Sequence, residues 1–201
     1  MNVKKRTGSI TKIALMTAFL VVCAYIKIPL PVGSVAITGQ TFGVNLLALL
    51  LAPAEAGIAI FIYLLLGVCG LPVFSGGTGG FGILAGPSGG FLVGFFVAAV
   101  VISLLKGKKM SIPRNLLVTV VVGIFIIDLF GVAWMMISLH LPLKQAILAG
   151  AVPFLPLDVL KCVVASVVAK PVYTVIESFQ SEKAATMTPA ETTTPAEMKR
   201  D

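Results

Sequence analysis

The feature that most constrains this 201-residue chain is a run of fifty consecutive residues, from Ala56 to Leu105, without one charged side chain. A run of that length holds two apolar helices' worth of sequence, so it is not one core element of a soluble protein. Over the whole chain 58% of residues are hydrophobic and 11% are charged, against about 25% charged in soluble domains. The sequence therefore predicts an all-α membrane protein.

The apolar runs predict six transmembrane helices, at about residues 10–28, 41–52, 54–70, 89–105, 115–139 and 156–178. The second spans only ~18 Å at ~1.5 Å per residue, short of a ~30 Å hydrocarbon core. We expect it to be packed among the other helices or extended by a structured loop. Residues 1–180 are then one six-helix transmembrane domain, and the polar residues 181–201 are a disordered cytoplasmic tail.

The basic residues predict how the chain is oriented in the membrane. Two segments are rich in basic residues, one at the N-terminus and one between the fourth and fifth predicted helices. With six helices these two segments fall on the same side of the membrane, and the positive-inside rule makes that side cytoplasmic. We therefore expect a multi-pass protein of a bacterial-type plasma membrane with both termini in the cytoplasm. This placement also accounts for most of the net charge of +7, so no basic face for nucleic acid remains. The two segments contain Lys4, Lys5, Arg6 and Lys12, and Lys106, Lys108, Lys109 and Arg114.

The sixth predicted helix opens with an acidic and a basic residue three positions apart, Asp158 and Lys161. This spacing puts both side chains on one helix face. An ionisable residue inside a membrane costs at least ~2.5–3.5 kcal/mol and normally faces a partner or a cavity. The pair therefore predicts either a binding site for a polar ligand or a salt bridge that braces the helix.

A third intramembrane charge, Asp128, lies deep in the fifth predicted helix. Three interpretations are open for it: a proton-relay carboxylate, an acid held neutral by burial, or a partner of Lys161 across the bundle. The chain contains neither a recognisable catalytic set nor a metal-binding motif, and its three cysteines lie in apolar runs without a C-x-x-C pair. We predict no cofactor.

Residues 71–90 form a segment with eight glycines and no charge. Gly77, Gly79 and Gly82 match G-x-G-x-x-G, but the preceding strand and the later acidic residue of a dinucleotide-binding turn are missing. Glycines allow close backbone approach, and an irregular loop at membrane depth is tolerated when it lines a cavity. The segment is interpreted as a ligand-pocket loop with Ser75 and Thr78 as side-chain donors, the alternative being a flexible connector.

Five segments, in this order and spacing, resemble the biotin-specific S components (BioY) of energy-coupling factor (ECF) transporters over about residues 10–176. They are Ala36-Ile-Thr-Gly-Gln-Thr-Phe-Gly43, Tyr63-Leu-Leu-Leu-Gly-Val-Cys-Gly-Leu-Pro-Val-Phe74, the glycine-rich part from Gly76 to Phe91, Gly131-Val-Ala-Trp134, and Pro153-Phe-Leu-Pro-Leu-Asp-Val-Leu-Lys161.

The resemblance implies a six-helix S-component-like bundle with a structured outward loop, which captures biotin from outside with high affinity and is not an enzyme. It implies a transmembrane coupling subunit, which packs on a small-residue motif matched by Ala14 and Ala18, and two ATP-binding subunits. Asp128 stands where the resemblance leads us to expect an uncharged residue, often tyrosine. The implied ligand-binding residues are Asp158 and Lys161, Thr78 with Gly77 and Gly79, and Gln40 with Thr41.

Other functions stay open at the level of sequence. They are an S component for another vitamin, a self-sufficient biotin facilitator, and an intramembrane enzyme that uses Asp128 and Asp158 as a carboxylate pair. For biotin itself, Asp158 would accept a ureido N–H while Lys161 donates to the ureido carbonyl. In the alternative arrangement, Lys161 binds the valeryl carboxylate and Asp158 only orients it.

Overall fold

The computed structural model describes residues 3–29, 35–107 and 111–185, and most of this part is helical. Its elements, in chain order, are α1 (Val3–Tyr25), β1 (Lys27–Ile28), β2 (Ile37–Thr38), α2 (Gln40–Leu50), α3 (Pro53–Val68), α4 (Phe81–Ala85), α5 (Gly89–Leu105), α6 (Ile112–Leu117), a π-helical segment (Val118–Ile124), α7 (Phe125–Ser138), α8 (Leu143–Gly150) and α9 (Leu155–Ala185). The two strands pair antiparallel.

Three helical stretches are long and apolar enough to cross a membrane: Thr7–Tyr25, Ile112–Ser138 and Leu155–Ile176. Three shorter apolar helices, α2, α3 and α5, accompany them. The helical, apolar character that the sequence predicts is therefore confirmed, while the count of six spans stays a prediction. The short α2 is buried along almost its whole length, between α1, α5 and α9, as its ~18 Å predicted span requires.

The fifth predicted helix is one continuous helical run in three parts, α6, the π-helical segment and α7. Gly123 lies in the π-helical part, where an added Cβ would come 3.0 Å from Asn45 Oδ1 of α2. The missing side chain leaves room for the Asn45 side chain beside the wide π-helical turn. Local sequence does not predict such a turn, because π-helical insertions depend on tertiary packing.

Glycines spaced four apart on α5 bring α5 and α7 together. A Cβ at Gly90 would lie 2.2 Å from Trp134 Cβ, and one at Gly94 would lie 3.1 Å from Ile127 Cα. Small residues at this spacing are how membrane helices pack without a hydrophobic driving force between them. The contact fixes α7 against α5, with Ile127 buried at their interface.

The carboxyl end of α2 is capped by a lysine from another helix. Lys106, directly after α5, donates to the carbonyl oxygens of Ala48 at 3.1 Å, Leu49 at 2.9 Å and Leu51. The last carbonyls of a helix lack intrahelical partners and carry partial negative charge, so a buried ammonium stabilises them. Burial lowers the pKa of Lys106 to about 8, an effect that the charge of Glu55 opposes.

Glu55 ties the start of α3 to the start of α1. One of its carboxylate oxygens accepts the Ala52 backbone N–H at 3.2 Å, and the other accepts the hydroxyl of Ser9. A carboxylate in the first turn also complements the positive end of the helix dipole. Ser9, Glu55 and Lys106 therefore gather the amino end of α1, the α2–α3 corner and the carboxyl end of α5 at one end of the bundle.

At the other end of the sequence, α9 continues to Ala185. The sixth helix was predicted to end near Ser178, with the tail beginning at Ser181. Residues 186–201, which make up most of the predicted tail, lie outside the described residues.

Candidate ligand-binding cavity

A cavity of about 440 Å³ opens between α2, α5, α7, α9 and the glycine-rich segment. This volume is within the ~300–1,000 Å³ of small-molecule pockets, which combine apolar walls with a few polar groups. Ten polar or charged residues line it: Lys27, Thr38, Gln40, Thr41, Ser75, Thr78, Ser88, Asp128, Asp158 and Lys161.

Asp158 and Lys161 form a salt bridge at the edge of this cavity. Lys161 Nζ lies 2.8 Å from Asp158 Oδ1, and Asp158 is only 6% exposed. Both belong to the first two turns of α9, where the Asp158 backbone N–H donates to the carbonyl of Phe154 at 2.8 Å. The pair keeps capacity for a ligand, since an ammonium has three protons and a carboxylate has two oxygens.

The first turn of α2 places two predicted residues, Gln40 and Thr41, in the cavity wall. Both are buried, and the Gln40 amide Nε2 donates to the hydroxyl of Tyr63 at 2.6 Å. Thr38 Oγ1 accepts the Gln40 backbone N–H at 3.3 Å, so Thr38 satisfies a donor at the helix start. Tyr63 holds Gln40 from behind although it does not line the cavity itself.

The glycine-rich segment forms another wall and is fastened to α1. The Gly76 backbone N–H donates to the Ala24 carbonyl, and the Tyr25 hydroxyl donates to the Pro72 carbonyl, both at 2.8 Å. Within the segment, the Thr78 hydroxyl donates to the Ser75 carbonyl at 3.1 Å. These bonds give the segment a defined course along the cavity.

Gly77 and Gly79, predicted as ligand contacts, are not among the residues that line the cavity. Gly77 has a φ of +74° and packs against the ring of Tyr25, and a Cβ on Gly79 would lie 2.2 Å from the Leu71 carbonyl oxygen. These glycines shape the loop that carries Ser75 and Thr78. Their backbone conformation and close contacts explain why glycine is needed there.

Asp128 lies on α7 and faces the same cavity as Asp158. In the described part of the chain, the salt bridge of Lys161 is made with Asp158, and none joins Lys161 to Asp128. The interpretation of Asp128 as the ion-pair partner of Lys161 is therefore not supported. Asp128 and Asp158 instead face the same cavity as two separate carboxyl groups.

Trp134 fastens a turn that lines the cavity. Its indole Nε1 donates to the carbonyl of Gly86 at 2.9 Å, which fixes the turn that brings Pro87 and Ser88 to the cavity. The sequence alone does not predict this role. The one indication in the sequence is that Gly86 and Trp134 each lie in one of the five segments that carry the family resemblance.

The apolar walls were expected in general but not residue by residue. The sequence contains twelve phenylalanines, and nothing in their spacing shows which face a ligand, because helix rotation is set by tertiary packing. Four of them line this cavity, together with aliphatic residues of α5 and α7: Phe74, Phe91, Phe95 and Phe154, with Leu92 and Ile127.

Ala14 and Ala18, the predicted partner-binding residues, lie away from the cavity on α1. Both are exposed, as are the larger neighbours Ile10, Leu15 and Val22 on the same helix. This part of α1 thus presents small and apolar side chains outward, on a helix apolar enough to cross a membrane.

A bundle with membrane-length apolar helices, around a cavity with a buried ion pair and aromatic walls, defines a membrane-embedded protein that binds a small, partly polar molecule. Residues 1–178 match the BioY family. Because this match covers most of the chain, the chain belongs to the BioY family.

Three similar proteins give that membership its context. The chain is 42% identical to the biotin transporter BioY of Thermotoga maritima, over 79% of this chain and 91% of that protein. It is 36% identical to the biotin transporter BioY2 of Lactococcus lactis subsp. cremoris, over 79% and 86%. Its fold is similar to the crystal structure of the S-component for biotin from an ECF-type ABC transporter, with a TM-score of 0.81 and 26% identity, covering 87% of this chain and 95% of that one.

Proposed function

We propose that this protein is the high-affinity biotin-capture subunit of a vitamin uptake transporter. The observation that carries the proposal is the Asp158–Lys161 salt bridge, which opens onto a 440 Å³ cavity with aromatic walls in a chain of the BioY family. A buried ion pair inside an apolar bundle is costly unless it meets further polar groups. A ligand with a compact polar head and an apolar body supplies them.

Biotin has this chemistry. Its ureido head offers N–H donors to Asp158 and a carbonyl acceptor to Lys161, and each charge-assisted bond contributes about 1.5–3 kcal/mol. The thiophane ring and valeryl chain then pack against phenylalanines such as Phe91 and Phe95. Lys27 lines the cavity from β1, beside the glycine-rich segment, and we assign it to the valeryl carboxylate. This arrangement is favoured over one in which Lys161 binds that carboxylate, because Lys161 is already paired with Asp158.

The contacts at the two ends of the bundle support an outward-facing cavity. Ser9, Glu55 and Lys106 meet at one end, which is the end that carries the basic segments assigned to the cytoplasm. The cavity residues and Lys27 lie toward the carboxyl end of α1, where Tyr25 contacts the glycine-rich segment. We propose six spans, both termini in the cytoplasm, and a cavity open to the outside.

We further propose that α1 docks on a transmembrane coupling subunit, with two ATP-binding subunits supplying energy. The support is the exposure of Ala14 and Ala18, since small residues four apart allow another helix to approach closely. Cysteine at position 14 should crosslink to the coupling subunit, while cysteine at the buried Leu20 should not. Uptake that persists in cells without coupling subunits would favour a self-sufficient facilitator instead.

Calorimetric titration of the purified protein with biotin tests the ligand and the site together. We expect tight binding in the wild type and a loss of at least about tenfold in both Asp158→Asn and Lys161→Ala. Lys144→Ala is the matched control, because Lys144 is an exposed lysine that does not line the cavity. No binding by folded wild-type protein would overturn the biotin assignment and direct the titration to other vitamins.

A carboxylate-pair enzyme is the competing class. It requires both Asp128 and Asp158 to act on a bound substrate, and both do face the cavity. The similar proteins are named as transporters, which favours binding without chemistry. Biotin recovered unchanged after prolonged incubation with the protein is the expected result, and conversion of biotin would support the enzyme.

A further inference from the structure

We propose that Asp128 is a second ligand-contacting carboxyl group, which accepts the biotin ureido N–H that Asp158 does not reach and so contributes to recognition of the urea. This inference rests on the proposed function, because it assigns a contact to the biotin that the cavity is proposed to hold. It concerns a residue for which the sequence left several roles open.

The shape of a cyclic urea requires two separate acceptors. Its two N–H groups lie on opposite sides of the carbonyl and point away from each other. The Asp158–Lys161 pair matches one edge of the urea, with the carboxylate on one N–H and the ammonium on the carbonyl. The second N–H then needs an acceptor on the other side of the head group, since a buried donor without a partner weakens binding.

Asp128 and the ion pair reach the cavity from different helices. Its helix, α7, packs mainly on α5 and α8, whereas α9 packs mainly on α2, α6 and the π-helical segment. The two helices therefore form different parts of the cavity wall, and Asp128 and Asp158 both line the cavity. A urea head between them would present one N–H to each.

Asp128 is also uncommitted to the protein. Among the described residues it makes no hydrogen bond or salt bridge, while three other polar side chains of the cavity already have partners. Lys161 is paired with Asp158, the Gln40 amide donates to Tyr63, and the Thr78 hydroxyl donates within its own loop. A half-buried carboxyl group without a protein donor is suited to a donor from the ligand. In either protonation state it keeps an acceptor oxygen.

The test is a binding cycle that combines substitutions with ligands lacking one N–H. Biotin and its two isomers methylated on one ureido nitrogen are titrated into wild type, Asp128→Leu and Asp128→Asn. Asp128→Leu should reduce the affinity for biotin by about 10- to 100-fold. Asp128→Asn should reduce it by less, because the amide oxygen remains a neutral acceptor. For one methylated isomer, Asp128→Leu should reduce the affinity by less than about threefold. For the other isomer, it should reduce the affinity as much as it does for biotin.

Asp158→Asn should show the opposite pattern. It should change little the affinity for the isomer whose binding Asp128→Leu weakens, and it should weaken binding of the isomer that Asp128→Leu leaves nearly unchanged. Comparison within each ligand cancels the bulk of the added methyl group. If Asp128→Leu does not fold, the same comparison with Asp128→Asn decides the question. Equal losses for all three ligands, or an unchanged or tighter Kd for biotin, would overturn the assignment of Asp128. Absence of biotin binding by the wild type would refute the proposed function itself, which is a different outcome.

Discussion

A single added methyl group at Gly67 should disturb the cavity from behind. Gly67 lies in α3 beneath Phe74, and a Cβ there would come 2.1, 2.3 and 2.5 Å from three atoms of the Phe74 ring. Ordinary contacts begin at 3.4 Å, so the ring has to move by more than 1 Å. Phe74 is fully buried, stacks edge-on against Tyr63 with 5.5 Å between centroids, and lines the cavity. Gly67→Ala therefore displaces part of the ligand-facing wall.

The size of the effect follows from two opposing contributions. Overpacking of this kind costs about 1–3 kcal/mol, while replacing glycine by alanine within a helix contributes about 0.8–1 kcal/mol of stability. Gly8→Ala is the matched control, because it brings the same helix preference and its Cβ would meet nothing within 4 Å. Relative to this control, we expect the free energy of unfolding to fall by about 1–3 kcal/mol, and we expect biotin to bind more weakly, because a ligand-facing ring is displaced.

Calorimetry with biotin measures this loss, and thermal unfolding followed by Trp134 fluorescence measures the accompanying stability. Trp134 is the only tryptophan of the chain. A Gly67→Ala protein that binds biotin and unfolds like Gly8→Ala would refute the packing of Phe74 against α3, and with it this description of the cavity wall.

Further predictions concern groups that support the cavity or the fold. Tyr63→Phe removes the acceptor of the buried Gln40 amide, so the unfolding temperature should drop by the equivalent of about 1–3 kcal/mol; unchanged unfolding would contradict the 2.6 Å bond. Trp134→Phe removes the donor to the Gly86 carbonyl. Biotin binding measured by calorimetry should weaken by about 2- to 12-fold, and an unaltered affinity would show that Trp134 does not position the cavity turn. Burial lowers the pKa of Lys106 to about 8 in the folded protein, while a lysine in the unfolded chain has a pKa of ~10.4. Between these two values the unfolded state binds more protons than the folded state. The free energy of unfolding should therefore rise from about pH 8 to 10. In unfolding scans this rise should be smaller in Lys106→Met than in the wild type. The same pH dependence in both proteins would contradict the lowered pKa of Lys106.

The parts of this structure that the sequence predicts are those set by local spacing. The helix predicted over residues 89–105 coincides with α5, because the glycine-rich segment ends where it begins and a lysine follows it. The contact between Asp158 and Lys161 follows from their i, i+3 spacing once α9 is helical. Both features depend on residues that are near each other in the chain.

The parts that the sequence does not predict depend on contacts between distant residues. Lys106 was interpreted only as an orientation signal, yet its ammonium caps α2, more than fifty residues away. The burial of Phe74 under Gly67 and the hold of Trp134 on Gly86 likewise need the packed bundle. Short elements such as α4 and α8 carry too few residues for a periodic signal.

A crystal structure of the protein with biotin is the most direct test of the central claim. We expect biotin inside the cavity, with a ureido N–H on Asp158 and the ureido carbonyl on Lys161, each at about 2.7–3.2 Å. Biotin bound elsewhere, or bound in the cavity without touching either member of the pair, would contradict it.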